Sequence, residues 1–254
     1  MCVGLDPDPA RLPSLAPLGE GATGAADFCV AITDHCAPHA VAFKPNLAFF
    51  EALGPDGWHA LARVCDAVRQ SGRLLVLDGK RGDIGNTGRR YAAALYDRLG
   101  GDAATVAPYM GADSLSPFLE HPGRCAFVLV ATSNPGSSDL QHLDIKGAPL
   151  YHTTAQLAVA VAEEHAGEAG FVVGATRPAI LGSLRAAHPD VPFLVPGVGA
   201  QGGDPAAVLR ANADGPLLVN SSRSILYASA GEDYATAAAD AAARLGDTLR
   251  AAAP

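Results

Sequence analysis

The chain predicts an α/β fold of one domain, a closed (β/α)8 TIM barrel over residues 1–254. Three observations carry this. Short apolar runs recur eight times, each of the length and character of a strand buried on both faces, as in a parallel sheet. Helical patterns separate them at spacings that suit βα units. No shift of composition and no linker marks a second domain, and 254 residues is an ordinary length for such a barrel.

Taken in order, Cys2-Val3-Gly4-Leu5 is the first strand and closes on Asp6; Pro7, Pro9 and Pro13 then forbid regular structure. A helix follows over 25–37, with Phe28, Ile32 and Cys36 near one face. The second strand, 40–43, ends in Lys44-Pro45-Asn46, and helical structure to Gly72 is interrupted near Gly54-Pro55. Leu74-Leu75-Val76-Leu77 runs straight into Asp78-Gly79-Lys80-Arg81-Gly82-Asp83, and a helix over 86–99 is expected to be capped by Asn86 or Thr87. A weaker fourth strand, 103–106, precedes a short helix near 115–119. The fifth strand, 126–130, opens a long polar loop from Thr132 to about Pro149, of a length usual for functional segments. After a helix over 151–165 come strand six (171–173), a helix opened by Pro178 at its first turn, and strand seven (193–195). A glycine-rich turn from Pro196, a short helix over 205–211, strand eight (217–219) and an alanine-rich helix over 234–250 complete the pattern.

Composition narrows the partners. A net charge of −8 lacks the cationic excess that non-specific nucleic-acid binding needs, yet leaves room for a small anionic ligand held by a few local cations. The five cysteines are scattered without a C-x-x-C pair, which fits buried free thiols in a reducing cytoplasm rather than a disulfide framework or zinc site. Neither an apolar stretch long enough to span a membrane nor a signal peptide is visible, so no membrane partner is expected.

Function in such a barrel belongs to the carboxyl ends of the strands. Those ends carry Asp6, Lys44, Asp78 with Lys80, Ser133, the glycine-rich turn and Arg223. Asp78 and Lys80 share strand parity and so point the same way; Asp83 has the opposite parity and lies in the following loop. Taken alone, an Asp-x-Lys pair reads as a strand-end salt bridge. Lys44 on the neighbouring strand turns it into an alternating charge array, in which each lysine offsets a carboxylate that is costly in a partly dry site. The glycine-rich turn and Ser222-Arg223 sit where barrels of this kind bind phosphate, the first with approachable backbone N–H groups and the second with a bidentate fork. No catalytic Ser-His-Asp spacing and no metal-ligand grouping stands out. The expected chemistry is Asp and Lys acting on a phosphorylated ligand, with no evident metal.

The segment Asp78 to Thr87 resembles the D-x-K-x-x-D-I signature of orotidine 5′-phosphate decarboxylases, and Gly4-Leu5-Asp6, Phe43-Lys44-Pro45-Asn46, Thr132-Ser133-Asn134-Pro135-Gly136, Pro196-Gly197-Val198-Gly199 with Gln201, and Ser222-Arg223 are similar to the family's bacterial branch with F-K-P-N and T-S-N-P-G. The resemblance spans the chain and implies decarboxylation of orotidine 5′-monophosphate to UMP in pyrimidine biosynthesis. It implies that Lys80 is the proton donor to C6 and that Asp78 sits beside the substrate carboxylate, held by Lys44 and Lys80. Asp83 and Thr87 are implied to reach the partner's site in a homodimer. Asp6 and Lys44 are implied to bind ribose, Ser133 the pyrimidine edge, and Gln201 and Arg223 the phosphate, with Pro196 and Ser222 in the binding loops. Two other readings stay open: a related metal-using phosphosugar barrel, against which Lys44 stands where a ligating glutamate is expected, and a nucleotide-binding barrel without catalysis.

Overall fold

The computed structural model describes residues 1–13, 18–198 and 202–252. Eight parallel strands close into a barrel: β1 (Cys2–Leu5), β2 (Ala42–Pro45), β3 (Leu74–Arg81), β4 (Ala103–Val106), β5 (Cys125–Ala131), β8 (Glu168–Val173), β9 (Phe193–Pro196) and β10 (Leu217–Ser221). Each pairs with its sequence neighbour in that order, and β10 returns to β1 through Cys2 opposite Asn220 and Val3 opposite Ser221. The barrel expected from the apolar runs is therefore the observed fold.

The outer ring contains α1 (Gly21–Cys36), α2 (Leu47–Glu51), α3 (Pro55–Gln70), α4 (Gly85–Ala93), α5 (Ala112–Leu119), α6 (Leu150–Glu163), α7 (Pro178–Ala187), α8 (Pro205–Asn212), α9 (Arg223–Leu226) and α10 (Tyr234–Ala252). Gly54, with φ 75°, supplies the break foreseen between α2 and α3. Past Ala93, α4 widens into a π turn over Ala94–Arg98. It does not start on an Asn86 or Thr87 cap: Ile84 holds the N-cap position without a side-chain bond, and Asp83 Oδ1 instead accepts from the Ile84 N–H at 2.8 Å. The polar loop after β5 is more ordered than its composition suggests. It contains a 3-10 turn (Pro135–Asp139) and a small hairpin of β6 (Asp144–Ile145) and β7 (Ala148–Pro149), with Lys146 and Gly147 both at positive φ.

Two cores follow from strand alternation. Side chains pointing outward pack under the helices, with Phe28, Phe43, Phe50, Phe118, Phe171 and Phe193 fully buried. Side chains pointing inward plug the barrel itself through Cys2, Ala42, Val76, Ala103, Phe127, Val172 and Leu194, with Leu218 packed against them. The four cysteines other than Cys125 are buried, Cys125 is partly so, and all five are free thiols. Among the described residues, no helix is long and apolar enough to cross a membrane.

Candidate active site

Two residues beyond Ala42, Val76 and Ala103 on their strands stand Lys44, Asp78 and Thr105, so the same alternation aims all three inward, one layer above the plug. All three are buried, at 4%, 7% and 2% exposure. Such polar groups persist in a dry layer only when they satisfy one another. Lys44 Nζ donates to Asp78 Oδ2 at 2.6 Å, while Lys80 Nζ at 2.6 Å and Thr105 Oγ1 at 2.9 Å both donate to Asp78 Oδ1. Burial by itself pushes the Asp78 carboxyl up, but Lys44 and then Lys80 outweigh it and hold the group well below the ordinary carboxylate range. Burial likewise pulls the Lys44 ammonium down, and Asp78 with Asp6 overcomes it, so its pKa rises.

Lys80 is not on a regular strand. The β3–β4 register shifts between Leu77 and Arg81, and Lys80 takes φ 45°, a left-handed conformation unusual outside glycine. Its backbone N–H donates to Thr105 Oγ1 at 2.9 Å. On the other side of the bulge, Arg81 pairs with Glu51 and donates to the Gly79 carbonyl. The Asp78–Lys80 contact expected from parity is present, although a bulge rather than a flat pleat produces it.

The opposite wall is built where the barrel closes. Ser222 Oγ donates to Asp6 Oδ2 at 2.6 Å. Gly4 makes the fit possible, because a Cβ there would lie 2.8 Å from the Ser222 Cβ. Asp6 Oδ1 and Asn220 Oδ1 are buried without a hydrogen-bond partner among the described residues. Both residues line a cavity of about 690 Å³ at the carboxyl ends of the strands. Buried acceptors left open in a cavity suit a ligand that brings hydroxyl or amide donors.

Of the residues expected from sequence, Asp6, Lys44, Asp78, Lys80, Ser133, Pro196, Ser222 and Arg223 line this one cavity. Arg223 is exposed at the rim and Gly197, with φ 99°, turns the chain beside it. Asp83 and Thr87 do not line it: they lie on the loop and first turn after β3, Asp83 partly buried and Thr87 exposed. Gln201 lies outside the described residues. Thr105 and Asn220 were not foreseen; the available signal was a polar residue two positions after an inward-facing one, inside or at the end of an apolar strand. Among the described residues, no three His, Cys, Asp or Glu side chains are grouped as a metal ion requires.

The sequence pattern of the orotidine 5′-phosphate decarboxylase / HUMPS family matches residues 1–239. The orotidine 5′-phosphate decarboxylase of Roseiflexus castenholzii is 49% identical over 256 residues, covering 99% of this chain and 92% of the relative. That of Variovorax paradoxus is 46% identical over 262 residues, covering 100% and 94%. Among solved structures, the OMP decarboxylase of Leishmania donovani superposes with a TM-score of 0.84 at 38% identity, over 99% of this chain and 92% of that one.

Proposed function

Because the chain belongs to the orotidine 5′-phosphate decarboxylase / HUMPS family, we propose that it is the carboxy-lyase that converts orotidine 5′-monophosphate to UMP in pyrimidine biosynthesis, without a cofactor. One observation supports this reading above the others. A single buried carboxylate, Asp78, is held between two ammonium groups in a cavity whose rim carries Arg223.

Loss of carbon dioxide breaks the C6–carboxylate bond and leaves its electron pair at C6 of the pyrimidine. With no cofactor to delocalise that pair, its stabilisation is electrostatic and preorganised. We assign this role to Lys80. Its ammonium faces the developing charge, then gives its proton to C6, and the neutral amine regains a proton from solvent. Two unit charges about 4 Å apart interact by roughly 4 kcal/mol at an effective dielectric of about 20. An interaction of that size made only in the transition state is worth about three decades in rate. Asp78 sits beside the substrate carboxylate and keeps Lys80 aimed.

The remaining assignments follow the same reading. Asp6 and Lys44 take ribose hydroxyls, Ser133 the pyrimidine edge, and Arg223 and Gln201 the phosphate, with Pro196 and Ser222 shaping the loops around it. Asp83 and Thr87, outside their own cavity, complete the partner's site in a homodimer. The exposed apolar side chains of Ile84, Tyr91, Tyr109 and Met110 on the neighbouring β3–α4 and β4–α5 segments support that face as the interface. Closure of the loop after β5 and of the turn after β9 over the nucleotide excludes water. The setting is cytoplasmic.

An absorbance assay with orotidine 5′-monophosphate, run with and without chelator, tests the proposal. Conversion to UMP indifferent to chelator is the expected result. Turnover that is lost to chelator and restored by magnesium, or tight UMP binding without turnover, overturns it.

A further inference from the structure

We propose that Thr105 is a positioning residue for this reaction, because its one hydroxyl fixes both the Asp78 carboxylate and the backbone that aims Lys80. The inference rests on the decarboxylase reading of the same cavity.

A threonine hydroxyl has a single proton. Here that proton goes to Asp78 Oδ1 at 2.9 Å, and the oxygen accepts the Lys80 N–H at 2.9 Å. Donating one way and accepting the other, the hydroxyl has no freedom left to turn. At 2% exposure, water does not compete for either bond.

The second bond answers a problem created by the β3 bulge. Leu77 lies opposite Ala104 and Arg81 opposite Val106, so four steps along β3 correspond to two along β4. The intervening Lys80 amide has lost the carbonyl that a regular ladder offers, and the Thr105 side chain takes its place. The left-handed turn at Lys80 is thus pinned from β4, with its ammonium returned to Asp78 at 2.6 Å. Thr105 therefore links the carboxylate and the proposed proton donor through two bonds, without itself needing to touch substrate.

The test compares Thr105→Val, which keeps the shape and removes both bonds, with Thr105→Ser, which keeps the hydroxyl. For Thr105→Val we expect kcat to fall about 10- to 100-fold, the range of a misaimed catalytic group, with KM and UMP affinity changed less than about threefold. Thr105→Ser should stay within about threefold of wild type in kcat. Amide hydrogen exchange at Lys80, followed by NMR, should quicken at least tenfold in the valine variant and not in the serine variant. A wild-type kcat in Thr105→Val, a serine variant as slow as the valine one, or unchanged exchange at Lys80 overturns the proposal. Failure of the wild-type protein to convert orotidine 5′-monophosphate overturns the decarboxylase reading itself and Thr105's role with it. Wild-type conversion beside an indifferent Thr105→Val overturns Thr105 alone.

Discussion

Lys44 and Asp78 meet at 2.6 Å with 5% and 9% of their side chains exposed, a buried ion pair in which removing the carboxylate takes from the Lys44 ammonium its hydrogen-bonded countercharge. Asp78→Asn leaves Lys44 and Lys80 facing one another without their countercharge. We expect it to lower unfolding stability at neutral pH by about 3 kcal/mol, the scale of breaking a buried pair, as read from urea denaturation.

The pH dependence of that difference has a definite sign. The Asp78 pKa is depressed in the folded state, so its contribution is complete above the ordinary carboxylate range and is lost as pH falls through and below about 4. The Lys44 pKa is raised, so its contribution holds below the ordinary lysine value and is lost only as pH rises beyond about 10.5. Urea melts should show the gap between wild type and Asp78→Asn constant from about pH 5 to 9 and shrinking below about 4. A gap that widens in acid contradicts the assignment.

Lys80→Ala should abolish turnover while leaving the melting temperature nearly unchanged, since the side chain is half exposed. Asp83→Ala should be similarly inactive if it serves the partner's site. Mixing the two inactive variants under conditions that exchange subunits then rebuilds one intact site in each mixed dimer, restoring about a quarter of wild-type activity for random pairing in a two-fold dimer. No recovery on mixing removes Asp83 from the partner's site.

Arg223→Ala should weaken kcat/KM for orotidine 5′-monophosphate by at least about 100-fold, the scale of losing a charge-assisted bidentate contact. The phosphate-free nucleoside orotidine should lose little. Equal losses on both substrates contradict a phosphate role.

Arg185 is a contrasting buried cation. Its guanidinium donates to the carbonyls of His188, Pro189, Val191 and Pro216 and to Asn212 Oδ1, and lies 3.8 Å from the Phe193 ring centroid. It ties the α7–β9 loop to the segment entering β10, far from the strands' carboxyl ends. Arg185→Met strands several carbonyls at once, and we expect a loss of about 3 kcal/mol in urea melts with kcat unchanged in the folded fraction.

The sequence made the barrel and most of the cavity legible because both depend on local patterns: apolar runs give the strands, and the residues just past them give Asp6, Lys44, Asp78, Lys80 and Arg223. Thr105 was hidden because its importance depends on the β3–β4 register, a relation between residues 25 positions apart. Asn220 was hidden for the same reason, since only pairing with β1 brings it beside Gly4 and into the cavity that Asp6 also lines. The Lys80 bulge left no mark either, because nothing in Asp-Gly-Lys-Arg announces that the lysine rather than the glycine takes the left-handed turn. The missed start of α4 had a local cause: the helix begins at Gly85 with Ile84 as its N-cap and no side-chain cap, one residue ahead of the polar pair that suited a cap.

The bond between Ser222 and Asp6 joins residues 216 positions apart. A nascent chain therefore emerges with Asp6, Lys44, Asp78 and Lys80 long before it has the cavity that they line. Only when the last strand zips against the first does the second wall exist. That closing step is among the most distant contacts the chain must find, and hence among the slowest kinds to form. Under the proposed function, a nucleotide that needs both walls would bind only the finished ring and so stabilise closure over every earlier arrangement of the same strands. The ligand site is in this sense a latch on the fold's own last stitch.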